Sequence, residues 1–188
     1  VLVLIRSFKN PISKPIFTIG VKDTDIPRDA RQRYKRAQSA NILLNSMFSE
    51  AGEFYLEMLE SGLISPGFDT GYSASATTGY VMMSGESDNP EKVLLKIKND
   101  FSSSASVEKS LEKIKNIWIM QQISQTQTNS GTALLIQKGF ESSAKNPNPS
   151  LYLDEYNFIQ TANASDFLQT IEFVEKSLLL SVYSKDSN

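Results

Sequence analysis

Four glutamates form the first group of residues in this sequence that could act together in chemistry. They recur at three- or four-residue steps along one segment: Glu50, Glu53, Glu57 and Glu60. A helix would place them on one face, and carboxylate oxygens are the ligands that hard cations prefer. A charged stripe on a helix is usually a solvated face, however, and its outer carboxylates lie too far apart to share one ion easily. We therefore interpret this stripe as solvent-facing.

The 188-residue chain contains neither histidine nor cysteine. This excludes Ser-His-Asp and Cys-His nucleophiles and HExxH-type zinc sites, because each needs an imidazole or a thiolate. Catalysis by this chain alone would fall to carboxylates, Lys, Tyr or Ser, and no set of these is spaced like an active site. We predict no catalytic residue, no metal ligand and no cofactor in this chain. The absence of cysteine also fits a reducing compartment, so we predict a cytoplasmic location.

One basic cluster stands at the start of a predicted helix. Its members are Arg28, Arg31, Arg33, Lys35 and Arg36. Such a cluster could contact a nucleic acid or an acidic partner, but a formal net charge of -2 lacks the basic excess that nucleic acid binding needs. We interpret the cluster as the solvated side of a helix. The opening apolar run, VLVLI, is too short to cross a bilayer, so neither a nucleic acid nor a membrane is a predicted partner.

Three further motifs have simple structural explanations. The DTD motif at Asp23 and Asp25 lacks the glycine and distal glutamate of a calcium loop, so we predict a turn. Gly85 precedes a helix N-terminus that could hold an anion, but the acidic residues around it would repel a phosphate, and helix capping explains the motif better. Tyr34 and Trp118 recur at helical core spacing, which favours packing over ligand stacking.

The hydrophobic pattern predicts twelve elements in the order β, β, α, α, β, β, α, α, α, α, α, β. The strands are VLVLIRSF, PIFTIGVKD, FDTGYSASA, GYVMMSGES and SLLLSVYSK, with the third and fourth forming a hairpin. The longest helix starts near Asp29, and only Asn41 interrupts its apolar stripe. Gly62 is predicted to end the second helix in a left-handed conformation. A late helix is predicted for 165–176, whereas QQISQTQTNSG fits either a helix or a loop.

These elements predict an α+β fold with a mainly antiparallel sheet and helices layered on one face. No repeat or linker divides the chain, so residues 1–188 are predicted to form a single domain. Because the first residue is Val1 rather than Met, we expect this domain to be part of a longer chain.

The succession of motifs resembles one peptidase family. The segments are KPIFTIGVKD, RAQSANILLNSMFS, FYLEMLESGLI, GYVMMSGESDNPEKVLLKIKNDF and SVEKSLEKIKNIWIMQQISQTQTNSGTALLIQKGF. In order and in short motifs, they resemble the C-terminal half of an insulinase/pitrilysin-type zinc peptidase, the family that includes mitochondrial processing peptidase. The resemblance spans nearly the whole chain, and it is greatest to bacterial processing-protease-like proteins.

In that family, two homologous α+β halves close around a peptide. The resemblance implies that zinc, held by an HxxEH motif and a distal glutamate, belongs to a missing N-terminal half. This chain would then be the non-catalytic, substrate-enclosing C-terminal domain of a metallopeptidase, inactive alone. Its expected partners are the catalytic half or a homologous peptidase subunit, together with a peptide substrate. We expect a free sheet face or edge strand to hold the extended peptide.

Active members carry an Arg and a Tyr in a segment resembling L-R-E-x-x-G-L-A-Y. The matching residues here read MLESGLIS, so Leu59 stands near the Arg position and Ile64 or Ser65 near the Tyr position. By place in this motif, the predicted substrate-binding residues are Leu59, Gly62, Ile64 and Ser65. Because both functional side chains are replaced, we expect only weak contacts from them.

Two alternatives stay open. One is a catalytically inactive interaction or scaffold subunit that pairs with an active peptidase of the same family, which the replacements at Leu59 and Ile64 favour. The other is an α+β binding module unrelated to proteases.

Overall fold

The computed structural model of the protein describes residues 2–8, 14–100, 105–141, 154–162 and 178–185. Five strands lie within this part of the chain: β1 (Leu2–Phe8), β2 (Ile16–Asp23), β3 (Asp69–Ala74), β4 (Gly79–Glu86) and β5 (Leu178–Lys185). Six helices accompany them: α1 (Ala30–Phe48), α2 (Glu53–Glu60), α3 (Pro90–Asp100), α4 (Ala105–Thr126), α5 (Asn129–Glu141) and α6 (Glu155–Thr161).

The five strands form one sheet in the order β1-β5-β2-β4-β3. The β2–β4, β2–β5 and β3–β4 pairs are antiparallel, and β1 runs parallel to β5. The first and last strands are therefore neighbours, and β3 is an edge strand on the opposite side. The predicted α+β class, with a mainly antiparallel sheet, is confirmed.

Helix α1 is the centre of the helical layer. Asp29 caps it, since its Oδ1 accepts a hydrogen bond from the backbone N–H of Gln32 at 2.9 Å. Towards its C-terminal end, its buried apolar side chains enter the core: Ile42, Leu43, Leu44, Met47 and Phe48. Such burial is the main source of stability for a layered fold.

The core lies between the helices and one face of the sheet. Phe17, Ile19 and Val21 alternate along β2 and are buried on that face. Phe68 links sheet to helix, with ring centroids 6.0 Å from Phe17 and 5.9 Å from Phe48. These contacts hold α1 against the sheet.

Most of the predicted elements are observed. Gly62 has a φ of 69° just after α2, as predicted for the residue that ends this helix. The segment that fitted either a helix or a loop is mainly helical, because α4 continues to Thr126 and α5 starts at Asn129. The helix predicted for 165–176 lies outside the described residues.

Candidate functional site

One face of the sheet carries large apolar side chains in contact with solvent. On β2 and β4, the large apolar residues that alternate with the core positions are Ile16, Tyr80 and Met82, which are 37%, 46% and 48% exposed. The β2–β4 register places Gly20 opposite Met82 and Lys22 opposite Tyr80. We call the surface formed by these five residues the open face. Its large side chains are apolar and Lys22 is its one charged member, while the same side of the two strands continues to the polar residues Thr18, Ser84 and Glu86. Exposed large apolar side chains suit contact with a partner or a peptide.

A groove of about 590 Å³ lies on another side of the molecule. It runs between α1, the β3 edge, α4 and α6, and its lining is mostly uncharged and polar. The residues that line it are Tyr34, Ala37, Gln38, Asn41, Tyr72, Ser73, Ala74, Ser75, Trp118, Gln121, Gln122, Gln125 and Glu155. Its volume falls within the range of about 300–1,000 Å³ typical of ligand sites.

A buried Tyr–Glu pair forms one wall of this groove. The Tyr34 hydroxyl donates to Glu155 Oε2 at 2.8 Å, and Glu155 is only 4% exposed. Burial, and then the charge of Glu155, raise the pKa of the Tyr34 phenol above its ordinary value. The Phe158 ring packs 6.0 Å from the Tyr34 ring. Tyr34 is therefore a packing residue, as predicted, and it also holds α6 on α1.

A second buried pair joins the sheet edge to the DTD turn. The Tyr72 hydroxyl donates to Asp23 Oδ2 at 2.5 Å, and Arg36 Nε lies 3.3 Å from the same oxygen. Burial, followed by the bond to Asp23, raises the pKa of Tyr72. Asp23 Oδ1 accepts the backbone N–H of Asp25 at 2.8 Å. The motif is thus a turn, as predicted, and its first carboxylate is used internally.

The predicted basic cluster also has internal partners. Arg33 Nη1 donates to the carbonyl oxygens of Pro27 at 2.9 Å and Arg28 at 2.6 Å. Arg31 Nε donates to Asp154 Oδ2 at 2.8 Å, and this bond lowers the pKa of the Asp154 carboxyl. Arg33 therefore holds the chain that leads into α1, and Arg31 joins α1 to the residue before α6. The interpretation of the cluster as solvated is wrong for Arg33, which is 5% exposed.

The acidic stripe agrees with its interpretation as a surface feature. Glu57 Oε1 accepts from Lys96 Nζ at 2.9 Å, and its side chain is 67% exposed. Among the described residues, no group of three or more possible ligands is placed to hold a metal ion. Within the same part of the chain, no helix is long and apolar enough to cross a membrane.

The glycine turn before α3 is also explained by structure. A Cβ on Gly85 would lie 3.1 Å from Phe68 Cδ2, so the absence of a side chain lets the Phe68 ring approach β4. Ser87 Oγ accepts the backbone N–H of Asn89 at 2.9 Å just before Pro90, the first residue of α3. This bond supports the interpretation of the motif as a helix start.

The four predicted substrate-binding residues follow one another around the end of α2. Ile64 is 3% exposed and belongs to the core, and Leu59 is partly buried against it. Gly62 occupies the turn, where the N–H groups of the next two residues bond to Met58 O. Ser65 Oγ accepts from Lys14 Nζ at 3.2 Å. Their contact with a substrate stays a prediction, and Leu59 and Ser65 retain accessible side-chain surface.

Sequence reasoning missed the groove and both buried Tyr–acid pairs. The signal that could have revealed the groove is Asn41, the single polar residue in the apolar stripe of α1. Its side chain bonds to the backbone of Tyr72 on β3, with Nδ2 3.0 Å from the carbonyl oxygen and Oδ1 2.6 Å from the nitrogen.

The structure matches several solved peptidase structures. An M16-like peptidase from Alicyclobacillus acidocaldarius matches with a TM-score of 0.78 and 17% identity, over 97% of this chain and 43% of that one. The inactive peptidase domain of a zinc protease from Bordetella parapertussis matches with a TM-score of 0.69 and 12% identity, over 96% of this chain and 97% of that one. An M16 inactive domain from Pseudomonas fluorescens matches with a TM-score of 0.67 and 13% identity, over 98% of this chain and 44% of that one.

The chain has the fold of an M16 peptidase domain. The predicted resemblance to the insulinase and pitrilysin peptidases is confirmed in the fold, and it spans nearly the whole chain, as expected. The chain covers less than half the length of the Alicyclobacillus and Pseudomonas proteins, but it matches the Bordetella domain from end to end. No family model and no curated protein matches the sequence.

Proposed function

We propose that this chain is the non-catalytic, substrate-enclosing domain of a zinc-dependent metallopeptidase. The observation that carries the proposal is the end-to-end structural match to an inactive peptidase domain of a zinc protease, over 96% of this chain and 97% of the other. The absence of histidine and cysteine from the sequence supports the same function, since the usual zinc ligands and the usual general base are missing.

The residues of this chain do not fit a catalytic zinc site. Such a site takes three protein ligands, commonly histidines with a carboxylate, and the described residues bring no three carboxylates together. We therefore assign zinc to a separate catalytic half that bears HxxEH, and we derive no hydrolytic step from this chain. That half, or a homologous peptidase subunit, is the proposed partner.

The open face is the surface that we propose as the wall of the substrate chamber. Tyr80 and Met82 are about half exposed at alternate positions of β4, so they offer apolar side-chain surface to a peptide. Burying such surface is favourable and non-directional, which gives broad peptide binding with weak specificity. Of the predicted motif residues, Leu59 and Ser65 remain candidates for additional contacts. A cytoplasmic location is part of the proposal and is supported by the lack of cysteine.

The test is to combine this chain with the HxxEH-bearing half and to measure zinc-dependent cleavage of an unfolded protein such as casein. We expect neither part to cleave casein alone and the mixture to be active. Met82→Arg on the open face should lower the rate by roughly tenfold, because it brings a charge into the apolar wall. The matched control is Met120→Arg on α4, where the methionine is 71% exposed and lies outside the open face.

Two results would change the proposal. If the two parts fail to associate at high micromolar concentrations, the chain is not a partner of that catalytic half. If they associate but Met82→Arg and Met120→Arg cleave equally well, the open face does not enclose substrate. The second result would favour the inactive interaction subunit.

A further inference from the structure

One wall of the groove is a row of side chains on a single face of α4. The members of this row are Trp118, Gln121, Gln122 and Gln125. Their steps of three or four residues place them on the same side of the helix, and at a rise of about 1.5 Å per residue the row is about 10 Å long. Trp118 packs partly against the core and is partly exposed. The wall therefore has an aromatic ring at one end and carboxamides along the rest.

The carboxamides of this row are available to a ligand. Within the described part of the chain, the side chains of the three glutamines make no hydrogen bond, and those of Gln121 and Gln125 are exposed. Across the groove, by contrast, Asn41 bonds to both backbone groups of Tyr72 on β3. The polar groups that α4 offers to the groove are therefore side-chain amides, each of which both donates and accepts hydrogen bonds.

The charges of the groove disfavour several classes of ligand. Among the described residues, no Lys or Arg lines it, so a phosphate or a carboxylate finds no counter-charge there. The one acid of the lining, Glu155, is 4% exposed and accepts from the Tyr34 hydroxyl, which disfavours a cation. A purely apolar ligand would bury the glutamines without partners, at a cost in free energy. The groove suits a neutral ligand with many groups that donate and accept hydrogen bonds.

We propose that this groove binds a neutral oligosaccharide of two or three sugar units. Each sugar hydroxyl both donates and accepts, as a serine hydroxyl does, and so complements the carboxamides of the row. The C–H face of one sugar ring packs on Trp118, because the negative face of an aromatic ring attracts the positive ends of C–H bonds. The row spans about two sugar rings, and the groove volume of about 590 Å³ accommodates both.

A nucleoside is the alternative ligand with similar chemistry. Its base would also stack on Trp118, and carboxamides bond well to base edges. A single base, however, would reach only the nearest glutamines and would leave Gln125, seven residues further along α4, without a partner. The length of the row therefore favours the oligosaccharide. This site is separate from the open face and does not depend on the proposed zinc partner.

Trp118 is the only tryptophan of the chain, so its signals report directly on the groove. The experiment titrates the 15N-labelled 188-residue chain with cellotriose, maltotriose and tri-N-acetylchitotriose and follows the Trp118 emission and the indole N–H resonance. We expect at least one of these sugars to bind in the millimolar range or more tightly. It should move the emission to shorter wavelength, because a sugar ring replaces water at the indole, and shift the side-chain amides of Gln121 and Gln125. Trigalacturonate, an acidic analogue, should bind roughly tenfold more weakly.

Variants separate the groove from the rest of the surface. Gln125→Leu keeps a side chain of similar size but removes its hydrogen-bonding groups, so it should weaken binding by roughly three- to tenfold. The matched control is Gln127→Leu, at an exposed residue outside the groove lining, which should bind like the parent chain. Trp118→Phe retains an aromatic face and should bind more tightly than Trp118→Leu. Calorimetry measures these affinities, and circular dichroism checks that each variant is folded.

Three results would overturn the proposal. The first is that none of the three sugars shifts the Trp118 signals at millimolar concentration. The second is equal binding by Gln125→Leu and Gln127→Leu. The third is that adenosine, or an uncharged tripeptide with blocked ends, binds more tightly than every sugar, which would assign the groove to another ligand class. Because the chain is titrated without a catalytic half, these results leave the proposed function untouched.

Discussion

Replacing Asn41 with alanine tests whether its side chain secures the edge of the sheet. The Asn41 carboxamide makes two bonds to the Tyr72 backbone, of 3.0 and 2.6 Å, across the boundary between α1 and β3. A net contribution of about 0.5–1.5 kcal/mol for each bond gives a loss of about 1–3 kcal/mol in the free energy of unfolding. With a urea dependence of about 2 kcal/mol per molar, the unfolding midpoint should fall by about 1 M.

The matched control is Asn116→Ala, at an exposed position of α4. Alanine favours a helix over asparagine by about 0.6 kcal/mol, and this gain is the same in both variants, so their difference isolates the bonds to Tyr72. Urea unfolding followed by circular dichroism measures both midpoints. Hydrogen exchange at the Tyr72 amide should also become faster in Asn41→Ala only. If the two variants unfold within about 0.2 M of each other, the carboxamide does not stabilise the edge and the reasoning fails.

Two further predictions concern the buried tyrosines and a tight turn. Burial raises the pKa of both Tyr34 and Tyr72 in the folded protein. The unfolded phenols ionise near about pH 10, so the contribution of these two groups to the free energy of unfolding is complete below that pH and is lost as the pH rises further. Thermal unfolding between about pH 8 and 11 measures this loss, and Tyr72→Phe should make it smaller. A Cβ on Gly52 would collide with the Met47 carbonyl oxygen, so Gly52→Ala should lower the free energy of unfolding by about 1–3 kcal/mol. Gly71→Ala, whose Cβ would lie 3.6 Å from Asn41 Oδ1, is the control, and equal losses in the two variants would contradict the steric argument.

Much of the fold could be predicted because local patterns and tertiary packing agree. Phe17, Ile19 and Val21 alternate with solvent-facing residues, and this period identifies β2 as a strand with one buried face. Gly62 identifies the end of α2 because its left-handed backbone conformation favours glycine. The order of strands in the sheet could not be predicted from such patterns, since the pairing of β1 with β5 joins the two ends of the sequence.

The candidate site was harder to predict because it depends on residues that are distant in sequence. Asp23 and Tyr72 form a bond across 49 positions, and Tyr34 and Glu155 form one across 121. From the sequence, Asp23 was interpreted only as part of a turn and Tyr34 only as a packing residue.

Asn41 both joins α1 to β3 and covers part of a free sheet edge. An edge strand with all outward groups open would invite pairing with other chains. In this protein the side chain of Asn41 bonds to both outward backbone groups of Tyr72, and the N–H of Thr70 donates to the side chain of Asp69. The same side chain therefore limits pairing of this edge with other chains and holds α1 to β3.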